Sequence, residues 1–175
     1  MKGGGVAVSI ALLAIAAVLA VTGGGEDDAG AVEQVAPRIV ATEDLSDAEE
    51  AAGHEVYWAG PRAGTRLELS VESDGSVFLR YLTPGADAGD PEAEYLTVGT
   101  YSVPDAQAAL RQAARDSGGT LGRAEGGGLT LESQSSQQSV YLAYPDSDLQ
   151  IEVYDPSPGR ALALVRAGAI TPVGE

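Results

Sequence analysis

The chain has 175 residues, of which 44% are hydrophobic, so it is long enough for one ordinary domain with its own core. Its 26 acidic residues outnumber its 10 basic residues and give a formal net charge of −16, which repels phosphate backbones and excludes nucleic acid as a partner. The absence of cysteine excludes disulfides, thiolate catalysis and cysteine-based zinc sites, and no cofactor is expected.

The N-terminal segment is apolar enough to target a membrane. Residues 3–25 carry no charge, and their apolar centre, residues 6–21, approaches the length that crosses a bilayer. Lys2 lies on one side of this segment and the acidic residues 26–28 lie on the other. By the positive-inside rule, the N-terminus lies in the cytoplasm and the rest of the chain lies outside.

Residues 1–22 are therefore predicted to be a membrane anchor or a signal segment, with membrane contact through residues 6–22. An uncleaved anchor gives a single-pass protein of the cytoplasmic membrane whose C-terminal domain is outside the cytoplasm. Cleavage near residues 18–20 gives a secreted protein instead, although no clear Ala-x-Ala site is present. The sequence leaves both alternatives open.

A glycine-rich and acidic stretch follows, and residues 23–45 are predicted to be a flexible linker. The folded extracytoplasmic domain is expected to span residues 46–175. Ser46 and Glu49 have the spacing of a capping box, which predicts a short helix ending near Gly53. Residues 54–58 then read as a short strand.

The clearest local signal is a β-hairpin. Apolar residues alternate with polar ones over 67–71 and 77–81, and a Ser-Asp-Gly turn separates the two runs. A loop rich in proline, glycine and acid precedes a strand at 95–101. An alanine-rich helix, residues 104–115, is closed by glycine.

The second half repeats this order, with predicted strands at 129–133, 139–144 and 149–154 and a helix at 158–167. Residues 76–81 also resemble residues 139–144, which suggests a duplicated βββα unit. The predicted fold class is α+β: a mainly antiparallel sheet of about six strands with two or three helices, preceded by an N-terminal transmembrane helix.

Strand parity divides the apolar residues from an aromatic face. The core side, facing helix residues Leu110, Leu162 and Leu164, is predicted to comprise Leu67, Leu69, Val77, Leu79, Leu96, Val98, Leu129, Leu131, Val140, Leu142, Leu149, Ile151 and Val153. The opposite side receives Glu152 and six residues predicted as a ligand or partner surface, because aromatic rings beside an arginine can stack on a ligand: Phe78, Arg80, Tyr95, Tyr101, Tyr141 and Tyr154. The alternative is that the first helix or the loops cover this face.

No catalytic residue or metal ligand is predicted. His54 is the only histidine, which excludes histidine pairs and triads and favours a structural role. The acidic loop 87–94 lacks the spacing of a calcium-binding loop and is predicted to be solvated. An enzyme is therefore the less favoured reading.

Several short sequence segments resemble those of uncharacterised exported, membrane-anchored proteins of GC-rich actinobacteria. They are Val56-Tyr57-Trp58-Ala59-Gly60, Arg80-Tyr81-Leu82, Val98-Gly99-Thr100-Tyr101, Tyr141-Leu142-Ala143-Tyr144-Pro145 and Val153-Tyr154-Asp155-Pro156-Ser157-Pro158. The resemblance implies a place in the cell envelope and brings no activity, cofactor or site.

The expected function is non-catalytic binding of an unknown protein or small molecule in the cell envelope. Two alternatives stay open: an envelope hydrolase that uses carboxylates, and an accessory subunit of a membrane complex.

Overall fold

A computed structural model describes residue 32 and residues 34–92, 94–133 and 136–174. The predicted anchor, residues 1–22, lies outside this range. Among the described residues, none of the helices combines the length and apolar character that a membrane crossing needs.

The described residues fold as an α+β domain in which three helices pack on a mainly antiparallel sheet. The helices are α1 (Ser46–Ala52), α2 (Ala106–Ser117) and α3 (Arg160–Arg166). The strands are β1 (Val35–Val40), β2 (Tyr57–Trp58), β3 (Arg66–Val71), β4 (Val77–Leu82), β5 (Leu96–Ser102), β6 (Thr120–Arg123), β7 (Leu129–Glu132), β8 (Ser139–Ala143), β9 (Leu149–Tyr154) and β10 (Thr171–Pro172).

In the described part of the chain, the main sheet has eight strands in the order β1-β3-β4-β5-β9-β8-β7-β6, and β2 pairs with β10 in a separate two-stranded ladder. The prediction of about six strands missed the two edge strands. Strand β1 contains Pro37 and an irregular register between Val35 and Arg38, so it shows no alternation. Strand β6 has only four residues and exposes Leu121. Edge strands lack a second partner and a fully buried face, which weakens their sequence signal.

Strand β1 also changes the N-terminal boundary of the domain. It lies within residues 23–45, the range predicted as linker, and pairs with β3 over Arg38 to Val40. Leu45, at the end of the same range, is completely buried. The packed domain therefore includes at least residues 35–45, because a strand and a core side chain anchor them.

Counted inward from either edge, the sheet has the same arrangement: one edge strand, the two strands of a hairpin and one central strand. Val77 of β4 pairs with Thr100 in the first half, and Val140 of β8 pairs with Val153 in the second. The helices do not follow this arrangement, because α2 and α3 pack on opposite faces of the sheet. Duplication of a whole βββα unit therefore stays a prediction.

The main core fills one face of the sheet. Helices α1 and α3 and the β2–β10 ladder cover this face, and the backbone N–H of Tyr57 in β2 donates to Thr100 Oγ1 of β5 at 3.1 Å. The buried apolar residues of β3, β4, β5, β8 and β9 point into it as parity predicted: Leu69, Val77, Leu79, Leu96, Val98, Val140, Leu142, Leu149, Ile151 and Val153.

Three residues assigned to this core by parity lie on the other face. Leu131 is directly opposite Tyr141 in the β7–β8 ladder, so Leu131 and Leu129 share the face of Tyr141. Helix α2 covers them and contributes Leu110 to this second core. Alternation within a strand shows which residues share a face, but pairing decides which face it is.

Two helices end at glycines as predicted, whereas the predicted capping box does not form. Helices α1 and α2 end at Gly53 and Gly118, both in the left-handed region as predicted. At the start of α1 no side chain caps the helix, and Glu49 Oε1 instead accepts a hydrogen bond from the Val56 backbone N–H at 3.1 Å. Glu49 thus joins α1 to the approach to β2.

Candidate functional site

The predicted aromatic surface lies on the sheet face opposite the main core. Phe78 on β4 and Tyr101 on β5 are both half-buried and meet edge to face, with ring centroids 5.6 Å apart. The ring of Tyr101 lies over Gly99, where a Cβ would stand only 2.8 Å from Tyr101 Oη. Glycine at this position leaves the space that Tyr101 occupies.

Tyr101 reaches across the central strands to a buried carboxyl group. Its Oη donates to Glu152 Oε2 at 3.1 Å, and Glu152 is only 2% exposed. Burial raises the pKa of Glu152, and hydrogen bonds from Ser139, Tyr101 and Tyr141 partly oppose that rise. Burial, and then the nearby carboxyl of Glu152, raise the pKa values of Tyr101 and Tyr141. Glu152 and Tyr141 are thus buried in a polar network, to which the half-buried Tyr101 belongs.

Arg80, another predicted surface residue, holds the acidic loop against the sheet. Its guanidinium pairs with Glu68 Oε1 at 2.8 Å and donates to the carbonyls of Asp90 and Glu92 at 2.8 and 2.9 Å. The guanidinium carbon also lies 5.0 Å from the centroid of the Tyr95 ring. Arg80 and Tyr95 are thereby engaged within the domain.

The same loop has further internal hydrogen bonds. Glu68 Oε2 accepts the Gly89 backbone N–H at 2.5 Å, and the Asp90 carboxylate accepts hydrogen bonds from Tyr95 Oη and from the Glu92 N–H. Within the described ranges, no group of three or more acidic or histidine side chains could hold a metal ion. The loop is thus tied to the sheet by Glu68 and Arg80.

The remaining surface residues are divided between covered and partly open positions. Tyr141 is 4% exposed and packs under α2, whereas Tyr154 on β9 is half-buried. The loop and α2 thus cover half of the predicted set, and the partly open residues are Phe78, Tyr101 and Tyr154. The predicted alternative, in which the first helix or the loops cover this face, is therefore correct for half of the set. The covering helix is α2 and not the first helix.

His54 has a structural environment. Its Nε2 lies 2.9 Å from the carbonyl oxygen of Gly75 and its Nδ1 lies 2.7 Å from that of Glu55. The ring links the end of α1 to the β3–β4 turn, and no nucleophilic side chain contacts it among the hydrogen bonds of the described residues.

A second candidate site is a concave cleft on the main-core side of the sheet. It has a volume of about 300 Å³ and lies where Leu67 of β3 pairs with Tyr81 of β4. Its walls are formed by the end of β1, Trp58 of β2 and residues 60–62, 65 and 66. A cleft of this size is at the lower end of the range for small-molecule sites.

Arg62 and Tyr81 form one side of this cleft. The Arg62 guanidinium carbon lies 5.7 Å from the centroid of the Tyr81 ring, within the range of a cation–π contact. Tyr81 Oη accepts the Ala59 backbone N–H at 2.8 Å. Burial raises the pKa of Tyr81 to about 12, with the Ala59 hydrogen bond and the Arg62 charge acting in the opposite direction. Tyr81 is therefore a neutral platform under the arginine at physiological pH.

Two donors at the cleft have no acceptor. Arg62 Nε and Trp58 Nε1 are both buried, and neither finds a hydrogen-bond partner in the described part of the chain. Nor does the Arg62 side chain form an ion pair with any described residue. Buried donors are nearly always paired in folded proteins, so two unpaired donors beside one cleft make it a candidate binding site.

The sequence interpretation did not identify this cleft. It placed Trp58 in a short strand and made no prediction for Arg62 or Tyr81 as a pair. The available signal was local: the only tryptophan of the chain stands four residues before an arginine, with Gly60 and Pro61 between them. The approach of Tyr81 to Arg62 comes from the fold and not from sequence proximity.

No family model, curated protein or solved structure matches this chain.

Proposed function

We propose that this protein is a non-catalytic binding domain, held on the outer side of the cytoplasmic membrane by residues 1–22, and that its ligand enters the cleft of Trp58, Arg62 and Tyr81. The observation that carries the proposal is the pair of buried, unpaired donors beside a cleft of about 300 Å³. The charge asymmetry around the N-terminal apolar segment supports the orientation.

A carboxylate-dependent hydrolase has less support. Such an enzyme needs two carboxyl groups with different pKa values in one accessible pocket. Glu152 is the one described carboxyl whose pKa is raised, and it is 2% exposed. Glu68, the other deeply buried glutamate, is paired with Arg80. The accessory-subunit alternative and the Phe78–Tyr101–Tyr154 surface remain predictions.

The cleft is tested with the full-length chain in detergent micelles, because Trp58 is its only tryptophan and its emission reports directly on this site. The probes are amino acids, di- and tripeptides, monocarboxylates, mono- and disaccharides and nucleotides, each at up to about 10 mM, where even a millimolar ligand saturates. At least one class is expected to change Trp58 emission saturably and to raise the midpoint of thermal unfolding.

A blocking variant and a matched control make the test specific. Ala41→Phe places a ring at the cleft wall and is expected to abolish the response. Ala108→Phe makes the same change at an exposed position of α2 and leaves the response intact. If no class changes emission, or if Ala41→Phe responds like the wild type, the cleft is not the binding site.

The orientation is tested by cysteine labelling, because the chain has no cysteine of its own. Asp116→Cys places one thiol on an exposed turn of α2, and Gly3→Cys places one before the apolar segment. A membrane-impermeant maleimide added to intact cells is expected to label the first variant and to label the second only after lysis. The reverse pattern contradicts the proposed topology.

A further inference from the structure

The charge of the cleft is opposite to that of the whole protein. Two of the 10 basic residues, Arg62 and Arg66, line it, and none of the acidic residues that the structure describes does. The chain elsewhere is strongly acidic, with a net charge of −16. A local positive site on an acidic protein is complementary to a small anion and repels cationic ligands.

The two arginines differ in their availability. Arg66 is exposed and its guanidinium donates to the Ala86 carbonyl. Arg62 is half-buried over Tyr81, and its Nε has no acceptor among the described residues. Arg62 is thus the positioned group, since the cation–π contact with Tyr81 restrains its guanidinium.

The guanidinium of Arg62 favours a planar anion with two oxygens, because Arg62 lines the cleft and stays partly exposed there. A guanidinium binds a carboxylate through two parallel N–H donors, a geometry that matches the two oxygens of the anion. A chain with a net charge of −16 repels anions, and it repels a phosphate dianion more strongly than a carboxylate because the dianion carries twice the charge. This repulsion favours the monoanion.

Trp58 adds an apolar surface. The residue is 8% exposed and lines the cleft. Leu67 and Ile39 add apolar walls. The ligand therefore combines an anionic end with an apolar body that is small enough for about 300 Å³.

From these observations, and resting on the proposed binding function, we infer that the cleft takes a monocarboxylate, whose carboxylate pairs with Arg62 and whose apolar part packs on Trp58. Two sources carry this chemistry, a small free carboxylic acid and the C-terminus of a peptide. Both present the same group to Arg62, and the peptide additionally reaches the walls of the cleft.

The experiment compares acids with their amides on the full-length chain, again by Trp58 emission. The probes are isobutyrate and isobutyramide, N-acetyl-glycyl-leucine and its C-terminal amide, and inorganic phosphate. Each acid is expected to bind about tenfold to a hundredfold more tightly than its amide, which is the usual effect of hydrogen bonds to a charged group. Tighter binding of the peptide acid than of isobutyrate identifies a peptide C-terminus as the source, and equal binding identifies a small acid.

Two variants separate local pairing from overall charge. Arg62→Gln is expected to remove the preference for the acid, whereas Arg111→Gln, which removes the same charge from exposed α2, retains it. The thermal unfolding midpoint of each variant shows that it is folded, and Arg62→Lys is expected to restore part of the preference.

These experiments can overturn the carboxylate assignment without overturning the proposed binding function. If an amide binds as tightly as its acid, if phosphate binds more tightly than both acids, or if Arg62→Gln keeps the preference, the carboxylate assignment is overturned while the cleft remains a binding site. If none of these probes binds, the assignment is overturned as well, and the broader set of probes decides the proposed function.

Discussion

Replacing Arg80 by methionine tests whether the buried ion pair holds the acidic loop on the sheet. The pair is deeply buried, with side-chain exposures of 11% for Arg80 and 1% for Glu68. In Arg80→Met, the Glu68 carboxylate keeps the Gly89 N–H as a partner but loses the one cation paired with it among the described residues, and the carbonyls of Asp90 and Glu92 lose their donor.

The expected cost follows from this burial. Breaking a buried pair by removing one partner leaves an uncompensated charge and costs about 3–5 kcal/mol. Replacing both partners by apolar residues removes that charge, so Arg80→Met with Glu68→Leu is expected to be at least about 2 kcal/mol more stable than Arg80→Met alone. The whole stability of a domain is about 5–15 kcal/mol, so the single variant loses a large part of it.

The assay is urea unfolding at neutral pH, followed by the emission of Trp58, which is 8% exposed in the folded chain. Arg166→Met is the matched control, because the Arg166–Glu132 pair spans 3.3 Å but its side chains are 64% and 30% exposed. Removing an exposed pair costs at most about 1 kcal/mol. A loss in Arg80→Met no larger than that of the control, or a double variant less stable than the single one, refutes this account of the loop.

Two further predictions concern Glu152 and the tyrosine above it. Burial raises the folded-state pKa of Glu152, so its contribution to stability falls as pH rises above the ordinary carboxyl pKa of about 4. Glu152→Gln is therefore expected to become more stable relative to the wild type in urea unfolding as the pH is raised above about 4. A difference that moves the other way with pH contradicts this. Gly99→Ala places a Cβ 2.8 Å from Tyr101 Oη and is expected to cost about 1–3 kcal/mol by overpacking. The same change should cost much less in a Tyr101→Ala background, and an equal cost in both backgrounds shows that Tyr101 is not the obstacle.

Local signals predicted those elements whose residues are adjacent in sequence. The hairpin of β3 and β4 is closed by Asp74 and Gly75, and the left-handed residues Gly53 and Gly118 end their helices as expected. These features depend on alternation and on backbone preferences within a few residues. The edge strands β1 and β6 lack such alternation and were missed.

The candidate sites were predicted less completely. Parity correctly placed Phe78 and Tyr101 on one face, where the structure brings them into contact. It could not show that Arg80 binds the backbone of the loop that follows β4, because a loop has no periodicity that fixes its path.

The sequence by itself determined the α+β class, the hairpin of β3 and β4 and the net negative charge, since these depend on composition and on periods of two and 3.6 residues. Only the tertiary structure decided the order of the eight strands, the face on which Leu131 lies and the meeting of Trp58, Arg62 and Tyr81. Strand pairing and the burial of donors depend on contacts between residues far apart in the chain, and a single sequence does not encode those contacts in any local pattern.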